Sequence, residues 1–231
     1  MVYSKIVHKI RALANDFIPL LKGCDMSLQN IKSSLNKIAK SLDASQNSRE
    51  YLIKNTRDVV ISCSQSIIAA HKGDLKEAKK KLEKAQKLLL VNRKKADSDL
   101  KRYLLTPEQE LVEASSFIAI LENRPIPSIG TLKVSNESYI LGLLDLIGEL
   151  KRHVFDNIRI GKSKQASKIF EIMENLYLYL YPFAMYDKLV KEARKKLDVN
   201  RRLIEDARSA VTEEVRRANL IDSINKFKRN S

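Results

Sequence analysis

The amino-acid sequence predicts an all-α protein, a bundle of about seven helices that forms a single domain over residues 1–231. Only 6 glycines and 5 prolines occur in the chain, so residues that break helices are scarce. Apolar residues recur three and four positions apart along most of its length, which is the spacing of one helix face. No segment alternates apolar and polar residues as a half-buried strand does.

The N-terminal half contains four predicted helices. Residues 1–22 have the spacing of an additional N-terminal helix, and residues 28–42 carry the apolar stripe of a second one. The polar segment 44–50 predicts a break after that stripe, and Ser48 would cap the third helix. Gly73 and Asp74 predict the end of the third helix, and the apolar stripe of the fourth begins at Leu75.

The C-terminal half contains one predicted loop and four predicted helices. Thr106 precedes a proline and predicts the start of the fifth helix. Residues 123–136 contain two prolines and a glycine, which predicts a loop before an apolar helix over residues 137–158. Pro182 ends the next helix, and a long final helix leads to a basic, frayed tail at residues 222–231.

The charge of the chain favours an anionic partner. Lys and Arg number 43 against 28 Asp and Glu, a formal net charge of +15. Such an excess favours nucleic acid, whose phosphates release counterions when cations neutralise them, over a merely solvated lysine-rich surface. Acidic membrane surfaces are the weaker alternative.

Neither the cysteines nor the N-terminus indicates secretion. Cys24 and Cys63 are too few and too far apart for a disulfide framework or a metal knuckle, so we expect both in the core. The first 17 residues carry charges throughout, unlike a signal peptide, and no stretch approaches the roughly 20 apolar residues of a membrane span. A soluble, cytoplasmic protein with no membrane partner is expected.

Four acidic residues differ from the rest because they lie in apolar helices. Glu110 and Glu113 are three residues apart, and Asp145 and Glu149 are four apart, so each pair shares a helix face. Buried carboxylates are costly unless something neutralises them, and a hard divalent cation such as Mg²⁺ prefers oxygen ligands. Spacing alone favours the alternative, in which these acids form ion pairs with lysines and arginines of neighbouring helices.

Glycines and basic residues complete the set of candidates. Gly142 and a second glycine at position 148 lie in the helix that contains Asp145, where they permit close approach of another helix or a ligand. The candidates for phosphate contacts share the third predicted helix and its end; they are Arg49, Lys54, Arg57 and Lys72. A solvated face is the equally weighted alternative for them. The basic runs 93–95 and 194–196 are expected to be solvated surface.

Three segments together resemble the translin superfamily. ESYILGLLDLIGELKR, residues 137–152, is similar to the signature helix of that family, with Ile147 in place of its usual threonine. Residues 108–117 resemble the preceding segment with its paired glutamates, and residues 54–72, including His71, resemble the family's basic helix. That helix usually carries a Lys-Arg pair where this chain has serine and glutamine at positions 64 and 65. The resemblance covers about residues 25–220.

The resemblance implies a function and a set of site residues. The superfamily has a translin branch, which binds single-stranded DNA and RNA, and a translin-associated factor X branch with a magnesium-dependent endoribonuclease site. This chain looks like an archaeal-type member of the second branch, and the site carried over falls on Glu110, Glu113, Asp145 and Glu149. The resemblance therefore implies Mg²⁺, or alternatively Mn²⁺, a single-stranded RNA substrate and a homo-oligomeric, octamer-like shell. The alternative is a non-catalytic translin-like protein that binds single-stranded DNA or RNA.

Overall fold

The computed structural model describes residues 29–230, and these contain seven α-helices, two 3₁₀ helices and no strand. The α-helices are α1 (Gln29–His71), α2 (Leu75–Lys95), α3 (Leu105–Leu121), α4 (Ile129–Leu132), α5 (Asn136–Arg159), α6 (Ser163–Leu180) and α7 (Ala193–Asn230). The prediction of an all-α protein is confirmed. The helix predicted over residues 1–22 lies outside the described residues, so the single domain over residues 1–231 stays a prediction.

The described chain divides into two units, one that ends at Asn47 and one that begins at Ser48. The first contains the N-terminal part of α1. In the second, α5 is the central helix, and it packs against α3, α6 and α7. Its apolar face is buried against those three neighbours at Leu146, Leu150 and Val154. Both acid-bearing segments of the sequence therefore belong to the core of the second unit.

Helix α1 is continuous where the sequence predicted a break. The segment 44–50 is helical throughout, and Ser48 does not cap a new helix there. Because the segment contains neither glycine nor proline, nothing in its backbone stops a helix that has already formed. The prediction of two helices separated at residues 44–50 was wrong.

The other predicted ends agree more closely with the structure. Asp74 is the N-cap of α2, and its Oδ1 accepts a hydrogen bond of 2.9 Å from the backbone N–H of Glu77. A 3₁₀ helix, Ser98–Leu104, leads directly into α3, which therefore begins just before Thr106.

The C-terminal half differs from the sequence prediction at two places. The predicted loop, residues 123–136, contains the single-turn helix α4. Helix α6 ends before Pro182, as predicted, and the 3₁₀ helix Tyr181–Tyr186 follows it. Helix α7 continues to Asn230, so the described part of the predicted frayed tail is helical.

The backbones of α3 and α5 touch at Gly142. A Cβ atom built on Gly142 would lie 2.5 Å from the carbonyl oxygen of Gln109 and 2.7 Å from Cβ of Val112. Real Cβ atoms do not approach other atoms this closely, so only glycine fits here. Position 148 is different, because a Cβ at Gly148 would meet no atom within 4 Å. Gly142 thus brings the two acid-bearing helices together, whereas Gly148 leaves open space beside one of them.

Two further expectations concern the core and the membrane. Cys63 is fully buried as a free thiol, as predicted, while Cys24 lies outside the described residues. Between Gln29 and Asn230, no helix carries an apolar stretch long enough to cross a bilayer.

Candidate metal and nucleic-acid site

Glu110 and Glu113 lie on α3, on the side that faces the other two acids of the predicted quartet. Glu113 is buried, with 9% of its surface exposed, and Glu110 is half-buried. Within the part of the chain that the structure describes, neither carboxylate has an ion pair or a hydrogen bond. The ion pairs that spacing alone favoured for these two residues are therefore not formed.

Asp145 and Glu149, on α5, each have partners from other helices. Asp145 Oδ1 accepts a hydrogen bond from Nζ of Lys196, on α7, and its Oδ2 accepts one from Nε2 of Gln109, on α3. Glu149 Oε2 accepts a hydrogen bond of 2.5 Å from Nε2 of His71, at the end of α1. Four helices therefore contribute side chains to the region around the quartet.

The four acids lie near enough to influence one another's ionisation. Burial above all, together with the negative charges of Asp145, Glu110 and Glu149, raises the pKa of Glu113 from 4.5 to about 9, although the charge of Lys196 acts in the opposite direction. Burial and the charge of Asp145 likewise raise the pKa of Glu110. One lysine is thus insufficient to neutralise the cluster, and Glu113 is protonated at neutral pH when no other cation is present.

Cys63, on α1, lies beside this cluster. Burial raises the pKa of its thiol well above the usual value, and the charges of Glu110 and Glu113 add to that shift. The thiol is therefore neutral at physiological pH, and it adds no charge to the acidic site.

The acidic quartet offers carboxylate oxygens, but its side chains do not converge on one point in this structure. Among residues 29–230, no three acidic, histidine or cysteine side chains stand close enough to hold a metal ion. The donor types nevertheless suit a hard divalent cation, and two of the carboxylates have no partner within residues 29–230. Glu110, Glu113, Asp145 and Glu149 are the residues that would hold one.

His71 connects Glu149 to the core and lies near a second acid. Only 2% of its side chain is exposed, and its Nδ1 lies 3.5 Å from Oδ2 of Asp156. Its ring packs against Phe117 in a tilted arrangement with the centroids 4.7 Å apart, and the ring of His153 lies 6.2 Å away. The hydrogen bond to Glu149 and the aromatic contact hold the imidazole in place, while Nδ1 has no hydrogen-bond partner among the described residues, so His71 fixes the position of the Glu149 carboxylate.

The basic residues predicted to contact phosphate lie along α1 and just beyond its end. Arg49, Lys54, Arg57 and Lys72 are all exposed to solvent. Arg49 Nε donates a hydrogen bond of 2.9 Å to the hydroxyl of Tyr103, and the guanidinium of Arg102 lies 5.2 Å from the centre of that ring. These contacts lower the pKa of the Tyr103 hydroxyl through hydrogen bonds and the positive charges of both arginines.

Several contacts, at the quartet and elsewhere in the second unit, were not predicted from the sequence. Lys196 belongs to the run 194–196, which was expected to be solvated, yet it reaches Asp145 and only 23% of its side chain is exposed. Arg93, in the other basic run, forms an ion pair with the buried Glu108 at 3.1 Å. Gln109 was also missed. Each contact joins residues far apart in sequence, and helical periodicity carries no signal for such pairs.

Comparison with known proteins identifies the family. A model of the Translin family matches residues 3–211. An uncharacterized protein of Methanocaldococcus jannaschii is 36% identical over 174 residues, which cover 74% of this chain and 78% of that protein. Translin-associated protein X of Mus musculus is 23% identical over 201 residues, which cover 68% and 69% of the two chains.

Solved structures show the same fold. The AfC3PO–duplex RNA complex matches with a TM-score of 0.72 at 31% identity, covering 80% of this chain and 99% of that chain. Apo-NeC3PO matches with a TM-score of 0.67 at 23% identity, covering 78% and 96%, and this second likeness concerns the fold alone. Since the family model covers most of the sequence, the chain is a member of the translin family.

Proposed function

We propose that this protein binds nucleic acid and cleaves single-stranded RNA as an endoribonuclease that depends on Mg²⁺, with Mn²⁺ as the alternative cation. Binding is supported by the net charge of +15, by membership of the translin family and by the RNA in the complex of the structural relative. That relative holds duplex RNA, so single-stranded and duplex RNA must be compared directly.

The observation that carries the catalytic part of the proposal is the buried Glu113 carboxylate. Its pKa is raised to about 9 by burial and by three neighbouring acids. A divalent cation would lower the free-energy cost of ionising Glu113, because its positive charge would offset the negative charges of the neighbouring acids. The arrangement therefore fits a site that is complete only with a cation.

The proposed reaction is hydrolysis of a phosphodiester, in which a water oxygen bonds to phosphorus, the bond from phosphorus to a ribose oxygen breaks, and that oxygen takes up a proton from solvent. A bound divalent cation polarises the phosphoryl oxygens and lowers the pKa of coordinated water. The quartet would hold that cation, and one of its carboxylates, Glu113 or Glu149, would accept the proton of the attacking water. Gly142 and His71 fix the positions of the acids through the α3–α5 contact and the hydrogen bond to Glu149.

A homo-oligomer is part of the proposal. The end of α6, the following 3₁₀ helix and the turn after it, residues 178–189, expose an apolar and aromatic surface, with Tyr179 79% and Met185 85% exposed. Exposed apolar patches mark protein interfaces. This surface supports contact with a second copy of the chain, and an octamer-like shell is the assembly that we propose.

Cleavage of a labelled RNA tests the function. Wild type is incubated with the strand or its duplex in Mg²⁺, in Mn²⁺ and in EDTA, beside the variants Glu113→Gln and Asp145→Asn. Both variants should lose at least about 10²-fold in rate, the usual cost of removing one group that stabilises transition-state charge. Asp206→Asn is the matched control, since Asp206 is an acid of α7 paired with Lys151 outside the quartet, and it should cleave normally.

A non-catalytic nucleic-acid-binding protein is the second candidate, and one observation favours it. Asp145 is already bonded to Lys196 and Gln109, so a cation would have to compete for this carboxylate. In that case wild type binds RNA tightly and cleaves neither strand nor duplex with either cation. Absence of both binding and cleavage would rule out both candidates.

A further inference from the structure

Lys196 is a cation inside the acidic site, and it comes from α7, a helix that carries none of the quartet. Its Nζ donates to Oδ1 of Asp145, and its charge also acts on Glu110 and Glu113. Only 23% of its side chain is exposed. Lys196 therefore occupies, in part, the electrostatic role that a divalent cation would have among these carboxylates.

Lys196 also lines a groove between α5 and α7. The groove has a volume of about 320 Å³, and its charged lining residues are Asp145, Glu192, Lys195 and Lys196. Gly148 contributes no side chain to the wall, and the space beside it is open, since a Cβ there would meet nothing within 4 Å. Two acids and two lysines balance, so the groove has no net charge when Asp145 is ionised.

A divalent cation at the quartet changes this balance. Bound to Asp145, it would neutralise that carboxylate and place positive charge beside the Lys196 ammonium, and like charges at such a distance repel. Lys196 would then be released from Asp145, and the groove would gain net positive charge. A phosphate of the nucleic-acid backbone is an anion that suits both the groove and the free ammonium.

We propose that Lys196 exchanges partners: it holds Asp145 in the cation-free protein, and it binds a backbone phosphate oxygen when a divalent cation occupies the quartet. The inference rests on the proposed function and adds to it a contact with the RNA backbone that forms only when the cation is bound. The cation thereby prepares the groove for nucleic acid as well as the site for chemistry.

The first test measures Mn²⁺ binding without nucleic acid, by calorimetry. Lys196→Met should bind Mn²⁺ about two- to fivefold more tightly than wild type, because a partly exposed ion pair of this kind no longer competes for Asp145. The matched control is Lys151→Met. Lys151, on α5, pairs with Asp206, on α7, and its side chain is also 23% exposed, so the control removes an equivalent α5–α7 ion pair outside the quartet. It should leave Mn²⁺ affinity unchanged.

The second test measures the affinity of a 2′-O-methyl RNA strand by fluorescence anisotropy, with and without Mn²⁺, at constant ionic strength. The intact strand is verified on a gel after each titration. Mn²⁺ should strengthen binding to wild type and to the Lys151→Met control. In Lys196→Met this gain should fall by about two- to fivefold, and Lys196→Arg should retain most of it because the arginine also binds phosphate.

The two readouts move in opposite directions, tighter cation and weaker strand, which a misfolded variant would not produce. The exchange is overturned if Lys196→Met has the Mn²⁺ affinity of wild type, or a weaker one. It is also overturned if Mn²⁺ strengthens RNA binding by this variant as much as it does for wild type. A wild type that binds no Mn²⁺ overturns it as well. Cleavage of unmodified RNA is scored separately: wild type that shows the exchange but does not cut refutes the nuclease function alone.

Discussion

Replacing Glu113 with glutamine should stabilise the cation-free protein at neutral pH, although the residue is buried in the core. The pKa of Glu113 rises from 4.5 to about 9 on folding, so at pH 7 the carboxyl must take up a proton when the chain folds. About 2.5 pH units separate pH 7 from the unfolded pKa. At 1.36 kcal/mol per unit, they correspond to about 3 kcal/mol of lost stability, which the neutral amide would not incur.

The sign of the pH dependence follows from the raised pKa. An acid that is harder to ionise in the folded state favours folding fully only below its unfolded pKa, and this contribution is lost as pH rises towards about 9. The groups that set the shift by their charge are Asp145, Glu110, Glu149 and Lys196. The advantage of Glu113→Gln should thus be small near pH 4.5 and largest near pH 9.

Urea unfolding in EDTA at pH 5, 7 and 9 measures the effect. Glu108→Gln is the matched control, because Glu108 is also buried on α3 but accepts hydrogen bonds from Arg93 and from the backbone N–H of Ser135. Losing these charge-assisted bonds should destabilise the protein by about 1.5–3 kcal/mol at pH 7. Added Mg²⁺ should stabilise wild type more than Glu113→Gln. The reasoning is refuted if Glu113→Gln destabilises the cation-free protein at pH 7, or if its effect does not vary with pH.

Three further predictions concern packing, binding and the support of the site. Gly142→Ala should destabilise the protein by about 1–3 kcal/mol, because the added Cβ would overlap α3. Gly148→Ala should stabilise it by about 0.5–1 kcal/mol, because a Cβ there meets no atom and alanine favours the helix. Thermal unfolding compares the two variants, and equal effects would contradict the close contact at Gly142. If Lys54 and Arg57 both contact phosphates, the double variant Lys54→Ala/Arg57→Ala should lower the slope of log affinity for single-stranded RNA against log salt concentration by about 1.4. An unchanged slope would show that both residues lie on a solvated face. His71→Asn should weaken Mn²⁺ binding at least about tenfold in calorimetry, while wild-type affinity would show that His71 does not support Glu149.

The helices of the second unit could be predicted from local signals. Asp74 caps α2, and Pro182 falls just beyond the end of α6, because both effects depend on residues adjacent in sequence. The error at residues 44–50 has the same origin. The spacing of apolar residues indicates which part of a helix is buried. A polar segment interrupts that spacing even where the backbone remains helical, as it does here.

The candidate site could be predicted only in part. The spacing of Glu110 with Glu113, and of Asp145 with Glu149, identified two acidic faces, and the structure places those faces within electrostatic reach of each other. The residues that complete the site, Lys196 and His71, lie 51 and 78 positions from their partners. Which lysine among 43 basic residues reaches Asp145 depends on how α7 packs, and no local pattern encodes that.

The contact at Gly142 has a consequence for ion selectivity. With the main chains of α3 and α5 already touching, the spacing between the two pairs of acids cannot shrink, and any expansion would open the core. Adjustment to ions of different radius must then come from side-chain rotation alone. Mg²⁺ requires oxygens at about 2.0–2.1 Å and Ca²⁺ at about 2.3–2.6 Å. Discrimination between these ions would therefore depend on the reach of three glutamates and one shorter aspartate, on a framework of fixed width.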